Sequence, residues 1–148
     1  MCPEQNVLPA RLMNAQRWNG EYFEKIGLKE LGLVLQLGHP RSDTCSNPVP
    51  ARQRMVVIHT NGIHPASIQF CGCDRQVYAG NHRQQLLRAR LYPATDQEPM
   101  TCATFAVLET VHLQNVQSKS GVYDLYMALE RLTDNTGLAA TRVSVLIH

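Results

Sequence analysis

The middle of the chain alternates apolar and polar positions with a period of two, and the flanks carry apolar residues spaced three and four apart. The central run Met55-Val56-Val57-Ile58-His59-Thr60 is rich in β-branched residues, and a second run follows from Ile63 to Cys71. Asn61-Gly62 stands between them and predicts a tight hairpin, since both positions of a two-residue turn favour positive φ. Pro65 places the second strand at an edge or at a bulge. Upstream, Leu33, Leu35 and Leu37 share one face of a short predicted strand. Gly38-His39-Pro40 ends it, and the Pro, Ser, Asp, Thr and Asn residues of 40–53 predict a loop.

Helical spacing appears on both sides of this block. Trp18, Tyr22, Phe23 and Ile26 make one apolar face of a helix predicted from Asn14 to a stop at Gly27. Residues 82–91 predict a short helix with Leu86, Leu87 and Leu91 inward, broken by Tyr92-Pro93-Ala94-Thr95. Thr101 is a candidate cap for a helix running to about Val116, with Phe105, Leu108, Val111 and His112 on one stripe. Ser120 is a candidate cap for another, carrying Val122, Leu125, Leu129 and Leu132. The fold class is small α+β: a short antiparallel sheet with the Asn-Gly hairpin, flanked by helices. Residues 1–13 read as a loose N-terminal segment, 14–137 as the domain, and 138–148 as a divergent tail.

Composition narrows the classes. The chain has 148 residues, 44% hydrophobic and 18% charged, enough apolar material for one core. No stretch reaches the roughly 20 apolar residues of a membrane helix, and the first residues lack a secretory pattern. An intracellular, reduced protein is expected. Net charge is +2, too small for a strong global pull toward nucleic acid, but Arg outnumbers Lys by eleven to three. Arg52, Arg54, Arg75, Arg83, Arg88 and Arg90 bracket the central block, and their planar forks suit phosphate.

Five cysteines, an odd number, argue against a disulfide framework and for metal chemistry. The central candidates are His39, Cys45, His59, His64, Cys71 and Cys73. Zinc takes four Cys, His or carboxylate donors in a tetrahedron. In Cys71-Gly72-Cys73 both sulfurs leave one face of an extended chain, and Gly72 lets the backbone bend around an ion. His64 lies seven residues from Cys71, roughly 23 Å along a strand, so His59 and His64 at the turn end are poor partners for the cysteine pair. The loop carrying His39 and Cys45 arrives at the hairpin's open end. The preferred set is His39, Cys45, Cys71 and Cys73, with the choice between His39 and His64 as fourth ligand left open. Cys2 and Cys102 are expected to be spectators, Cys102 as a small core residue. Asp43 and Asp74 lie near the ligands as loop or supporting residues.

An ordered series of short motifs adds to this reading: Trp18-Asn19-Gly20-Glu21-Tyr22-Phe23, Leu31-Gly32-Leu33, Leu37-Gly38-His39-Pro40 with Cys45, and Asn61-Gly62-Ile63-His64 leading to Phe70-Cys71-Gly72-Cys73. Gln85-Leu86-Leu87-Arg88-Ala89-Arg90, Tyr92-Pro93-Ala94-Thr95, Pro99-Met100-Thr101, Phe105 with Val107-Leu108-Glu109, and Leu132-Thr133-Asp134-Asn135 follow. Together they resemble the CxC-type cysteine-cluster domain attached to the Kyakuja-Dileera-Zisupton (KDZ) transposases of basidiomycete fungi. The resemblance spans about residues 17–137. It implies a structural zinc site and a nuclear accessory domain N-terminal to an RNase H type transposase domain. It places the family's cysteine pair on Cys71 and Cys73 and its earlier donors on His39 and Cys45, and it also matches His64.

Two departures accompany it. The cysteine- and histidine-rich upstream segment of the family is reduced to Cys2, and the end from Leu138 does not continue the pattern, so a truncated or decayed copy is expected. Three functions compete: a DNA-contacting module using the arginines, a structural or protein-interaction module docking on the transposase core, and an enzyme. The last is disfavoured, since no cysteine is paired with a base and an orienting carboxylate in a local motif. Neither a membrane nor a small-molecule substrate is expected.

Overall fold

The computed structural model describes residues 16–133, apart from 28, 41, 42 and 75. The segments expected to be a loose start (1–13) and a divergent tail (138–148) lie outside the described residues, as do Cys2 and Arg75. Nine short strands and four helices are described, in three sheets. The α+β class stands. Among the described residues no helix is long and apolar enough to cross a membrane.

The first element corrects the predicted N-terminal helix. β1 (Gln16–Trp18) and β2 (Phe23–Lys25) pair as an antiparallel hairpin with Trp18 opposite Phe23. The Asn19 side chain accepts the backbone N–H groups of Glu21 and Tyr22, both at 3.0 Å, and Gly20 sits at φ +109°. This local hydrogen bonding competes with a helix and wins. The Trp18 and Phe23 rings meet at 5.0 Å across the hairpin and stay largely exposed, so no core rewards a helical stripe.

β3 (Val34–Gln36), β4 (Pro48–Pro50) and β7 (Ser67–Cys71) form a three-stranded sheet with β7 central. β3 runs parallel to β7 with Leu35 beside Ile68, and β4 runs antiparallel with Pro48 beside Cys71. β4 lies inside the predicted loop. Its two prolines are tolerated because it is an edge strand.

The third, four-stranded sheet has the order β6-β5-β9-β8, from β5 (Val56–His59), β6 (Gly62–Pro65), β8 (Leu91–Pro93) and β9 (Thr101–Thr104). The hairpin at 56–65 exists, but its register differs from expectation. His59 faces Gly62 and Val57 faces His64, so Thr60 and Asn61 make the turn and the predicted Asn61-Gly62 turn does not form. Neither Thr60 nor Asn61 has positive φ, whereas Gly62 takes φ +144°. The run 63–71 is not one strand. The Ala66 N–H bonds to the Met55 carbonyl at 2.9 Å; β6 ends at Pro65 and β7 enters the other sheet. Cys71 is therefore carried into the three-stranded sheet and away from the hairpin's open end.

α1 (Gln76–Ala79) and α2 (His82–Arg88) follow. Asn81 caps α2 through a capping box with Gln84. The predicted helix stops at Arg88 because Arg90 adopts φ +59° and Leu91 pairs with Thr104 in the sheet. Residues 101–104, expected to open the next helix, instead form β9 parallel to β5. Thr104 caps α3 (Phe105–Ser118), its hydroxyl accepting the Val107 N–H at 3.3 Å. α4 (Val122–Thr133) completes the described chain.

The period of two on the four-stranded sheet divides the core. Val57, Leu91 and Cys102 join Leu37, Met55, Ala66, Ile68, Phe70 and Leu86 in one cluster. Val56, Ile58, Ile63 and Ala103 face the opposite way, toward Val107, Leu125, Tyr126 and Leu129 of α3 and α4. Cys45, Cys71 and Ala79, with Cys73 against them, form a third, small cluster at the end of β7.

Candidate metal centre

The small cluster is built by three chain segments. His39 follows β3 after Gly38, whose φ of +77° turns the chain sharply. Cys45 lies on the connection to β4. Cys71 is the last residue of β7, and Cys73 follows after Gly72. One donor atom from each of His39, Cys45, Cys71 and Cys73 lies within 4.8 Å of the others. His39 Nε2 stands 3.2 Å from Cys71 Sγ and 3.3 Å from Cys73 Sγ, and the two sulfurs of the pair are 3.3 Å apart.

These spacings suit a single ion. Bonds of about 2.0–2.3 Å to N and S at the tetrahedral angle require donor separations of about 3.5–3.8 Å. The observed group spans that range, so small rotations seat all four donors. The donor set, three thiols and one imidazole, is that of a closed structural site.

Electrostatics agrees. Burial pushes the Cys71 thiol up to about 11; hydrogen bonding with the Cys73 and Cys45 thiols adds to this, while the Cys73 backbone N–H pulls the other way. Without a cation the Cys71 sulfur stays protonated near neutrality. A divalent ion supplies the charge that favours its thiolate form. His39 Nδ1 is buried and makes no hydrogen bond, yet it lies 3.5 Å from Asp43 Oδ2. That is close enough for an ion pair, and a small ring rotation converts it into the carboxylate–histidine contact that supports metal ligation. A shallow cavity of about 220 Å³, lined by His39, Asp43, Thr44, Ser46, Cys73 and Asp74, lies over the cluster.

The other candidates lie elsewhere. His59 is 2% exposed and its Nδ1 meets Thr104 Oγ1 at 2.8 Å. His64 Nε2 meets Asn61 Oδ1 at 2.8 Å. Cys102 packs in the main core, where burial pushes its thiol up to about 12. Of the six arginines, Arg52 pairs with Glu98 and Arg83 with Asp96. Arg88 donates to the Tyr78 carbonyl and Arg90 lies over the Phe105 ring at 5.4 Å. Arg54 is exposed.

Sequence reasoning missed two residues that hold the cluster. Gln85 of α2 is 1% exposed and hydrogen-bonds both the N–H and the C=O of Cys71. Asn47 bonds both the N–H and the C=O of Gly72. Nothing in Gln84-Gln85-Leu86 marks the second glutamine as buried until α2 is placed against β7.

A small α+β domain whose histidine and cysteines converge on one point is the class of a cysteine-cluster module. The family model described as the CxC2 like cysteine cluster associated with KDZ transposases matches residues 28–137. The chain belongs to that family. No curated protein and no solved structure matches it.

Proposed function

We propose that this chain is a zinc-chelating accessory domain of a KDZ-type transposase, in which one structural Zn²⁺ held by His39, Cys45, Cys71 and Cys73 ties three segments of the fold together. The observation that carries the reading is the convergence of these four donors within 4.8 Å. An ion held by four protein donors has no open position for substrate or water, so the centre is structural and does not itself act on a substrate. Its work is to present a surface, docking on the transposase catalytic domain or on chromosomal DNA in the nucleus.

Of these two partners we favour the protein. Arg52 and Arg83 are matched by Glu98 and Asp96, so two of the six arginines offer little free charge to a phosphate backbone. A DNA-contacting role would show as binding that weakens steeply with salt, and its absence at low salt would leave the protein-docking role alone.

The test of the zinc reading is metal content. Purified protein is expected to carry one zinc per chain, and Cys71→Ser and Cys73→Ser to lose it together with thermal stability. Wild-type protein that takes up no zinc, and whose unfolding midpoint is the same in zinc-free and zinc-containing medium, would overturn it.

A further inference from the structure

We propose that Gln85, seconded by Asn47, is the positioning residue of the metal centre, fixing the Cys71-Gly72-Cys73 backbone in ligand geometry before an ion arrives. The inference rests on reading the cluster as that centre and concerns how it is held.

Cys71 ends the central strand of its sheet, where neighbouring strands give out. Its antiparallel neighbour Pro48 forms a non-hydrogen-bonded pair with it, because the bonds to β4 fall at Gly72–Asn47 and Ala51–Ile68, so the Cys71 main-chain groups face the β3 side. The parallel register with β3 ends at Gln36 beside Gln69. Both main-chain groups of Cys71 would be buried without strand partners, a costly condition.

The Gln85 carboxamide takes the place of the missing strand. Its Oε1 accepts the Cys71 N–H at 2.8 Å, and its Nε2 donates to the Cys71 carbonyl at 3.2 Å and to the Gly80 carbonyl at 2.9 Å. The Gly80 bond ties the same amide to the turn before α2. On the other side Asn47 holds Gly72: its main-chain carbonyl accepts the Gly72 N–H at 3.0 Å, and its side-chain Nδ2 donates to the Gly72 carbonyl at 3.1 Å. A Cβ on Gly72 would stand 2.6 Å from Val49 Cγ2, so that peptide has no room to shift. Gln85 also borders the histidine arm, since its Oε1 would lie 3.1 Å from a Cβ on Gly38.

Cys71 and Gly72 thus each have both main-chain groups tied, Cys71 by the Gln85 side chain and Gly72 by the main chain and side chain of Asn47. The sulfurs of Cys71 and Cys73, on either side of Gly72, stand 3.3 Å apart. A side chain that only filled space would not need its N–H and C=O aimed at one residue.

The experiment titrates Co²⁺, followed by Zn²⁺ competition, into the full chain. Wild type is compared with Gln85→Met, which keeps length and apolar bulk but loses all three bonds, and with Asn47→Ala at an exposed position. Gln85→Met is expected to stay folded with excess zinc, to bind about 10–100-fold more weakly, and to change the cobalt d–d and thiolate charge-transfer bands. Asn47→Ala is expected to shift both readouts less. Unchanged affinity and spectrum in Gln85→Met would overturn the proposal while leaving the metal centre standing. A wild type that takes up neither metal would remove the metal centre itself and this inference with it. Should Gln85→Met not fold, Asn47→Ala decides: altered cobalt bands support the clamp, and bands identical to wild type reject it.

Discussion

Gly38 lies directly against Cys71: a Cβ built on Gly38 would stand 2.6 Å from Cys71 Cβ and 3.0 Å from Ala79 Cβ. Such a distance leaves no space for any side chain, and the φ of +77° disfavours one as well. The chain can therefore turn from β3 to His39 against the floor of the thiol cluster only with glycine here. Gly38→Ala is expected to destabilise the fold by about 1–3 kcal/mol, from overpacking and left-handed strain, and to weaken zinc affinity because His39 is displaced. Urea unfolding with and without zinc reads both. A variant as stable as wild type in both conditions would show that the approach is looser than described.

Zinc uptake should depend on pH in a defined direction. The Cys71 thiol, pushed up to about 11 by burial, is protonated in the metal-free fold near neutrality, so binding must expel its proton. Apparent affinity is expected to rise about tenfold per pH unit for each proton released, with weak binding on the acid side. Competition titrations at several pH values in one buffer series measure the slope. A flat profile would mean that the thiols are already ionised without metal.

The donor set was legible in sequence because it depends on spacing that folding cannot change. Cys71 and Cys73 stay within two residues of each other in any fold, and a turn-and-loop segment between two strands brings His39 and Cys45 back to a strand end. Strand length counted against His59 and His64, although His64 stayed open as the fourth ligand, and the four-donor group includes neither. The route to the answer was less accurate. The hairpin closes one residue earlier than Asn61-Gly62 suggests, and the strand to Cys71 changes sheets at Pro65. The helix expected over Trp18 to Ile26 failed because spacings of three and four also fit a hairpin whose aromatics meet across the turn. Thr101 was mistaken for a cap because β9 is a four-residue strand, decided by its pairing with β5 and β8 and invisible to local pattern. Gln85 and Asn47 act through main-chain groups, which leave no mark in residue type.

Acid should loosen the hairpin end independently of the metal. Burial lowers the pKa of His59; burial, then His59 and Lys25, lower that of His64. Both folded values lie below the ordinary 6.5, so the fold favours the neutral rings. Their contribution is complete above that pH and is lost as pH falls below it. In chelator, where zinc cannot contribute, the wild-type urea midpoint is expected to drop between about pH 7.5 and pH 5. His64→Gln is expected to flatten that drop. An equal drop in both proteins would assign the acid sensitivity to other groups.

Helix α4 is latched to the same hairpin by one hydroxyl. Thr133 Oγ1 accepts the Ile63 N–H at 2.6 Å and donates to the Leu129 carbonyl at 2.8 Å, joining the last turn of the helix to an edge strand. Gly62 is required beside it, because a Cβ there would stand 2.8 Å from that oxygen. Ile63 is 1% exposed, so its N–H has no ready access to water if the acceptor is removed. Thr133→Val keeps the shape and deletes the acceptor, and should destabilise by about 1–3 kcal/mol. Thr133→Ser keeps the hydroxyl and should recover most of that. Because β6 is an edge strand, the loss should also appear locally, as faster hydrogen exchange at the Ile63 amide in Thr133→Val than in wild type. Unchanged exchange at that amide would show that another group satisfies Ile63 and that α4 is held by its other contacts, chiefly the apolar ones of Leu125, Tyr126 and Leu129.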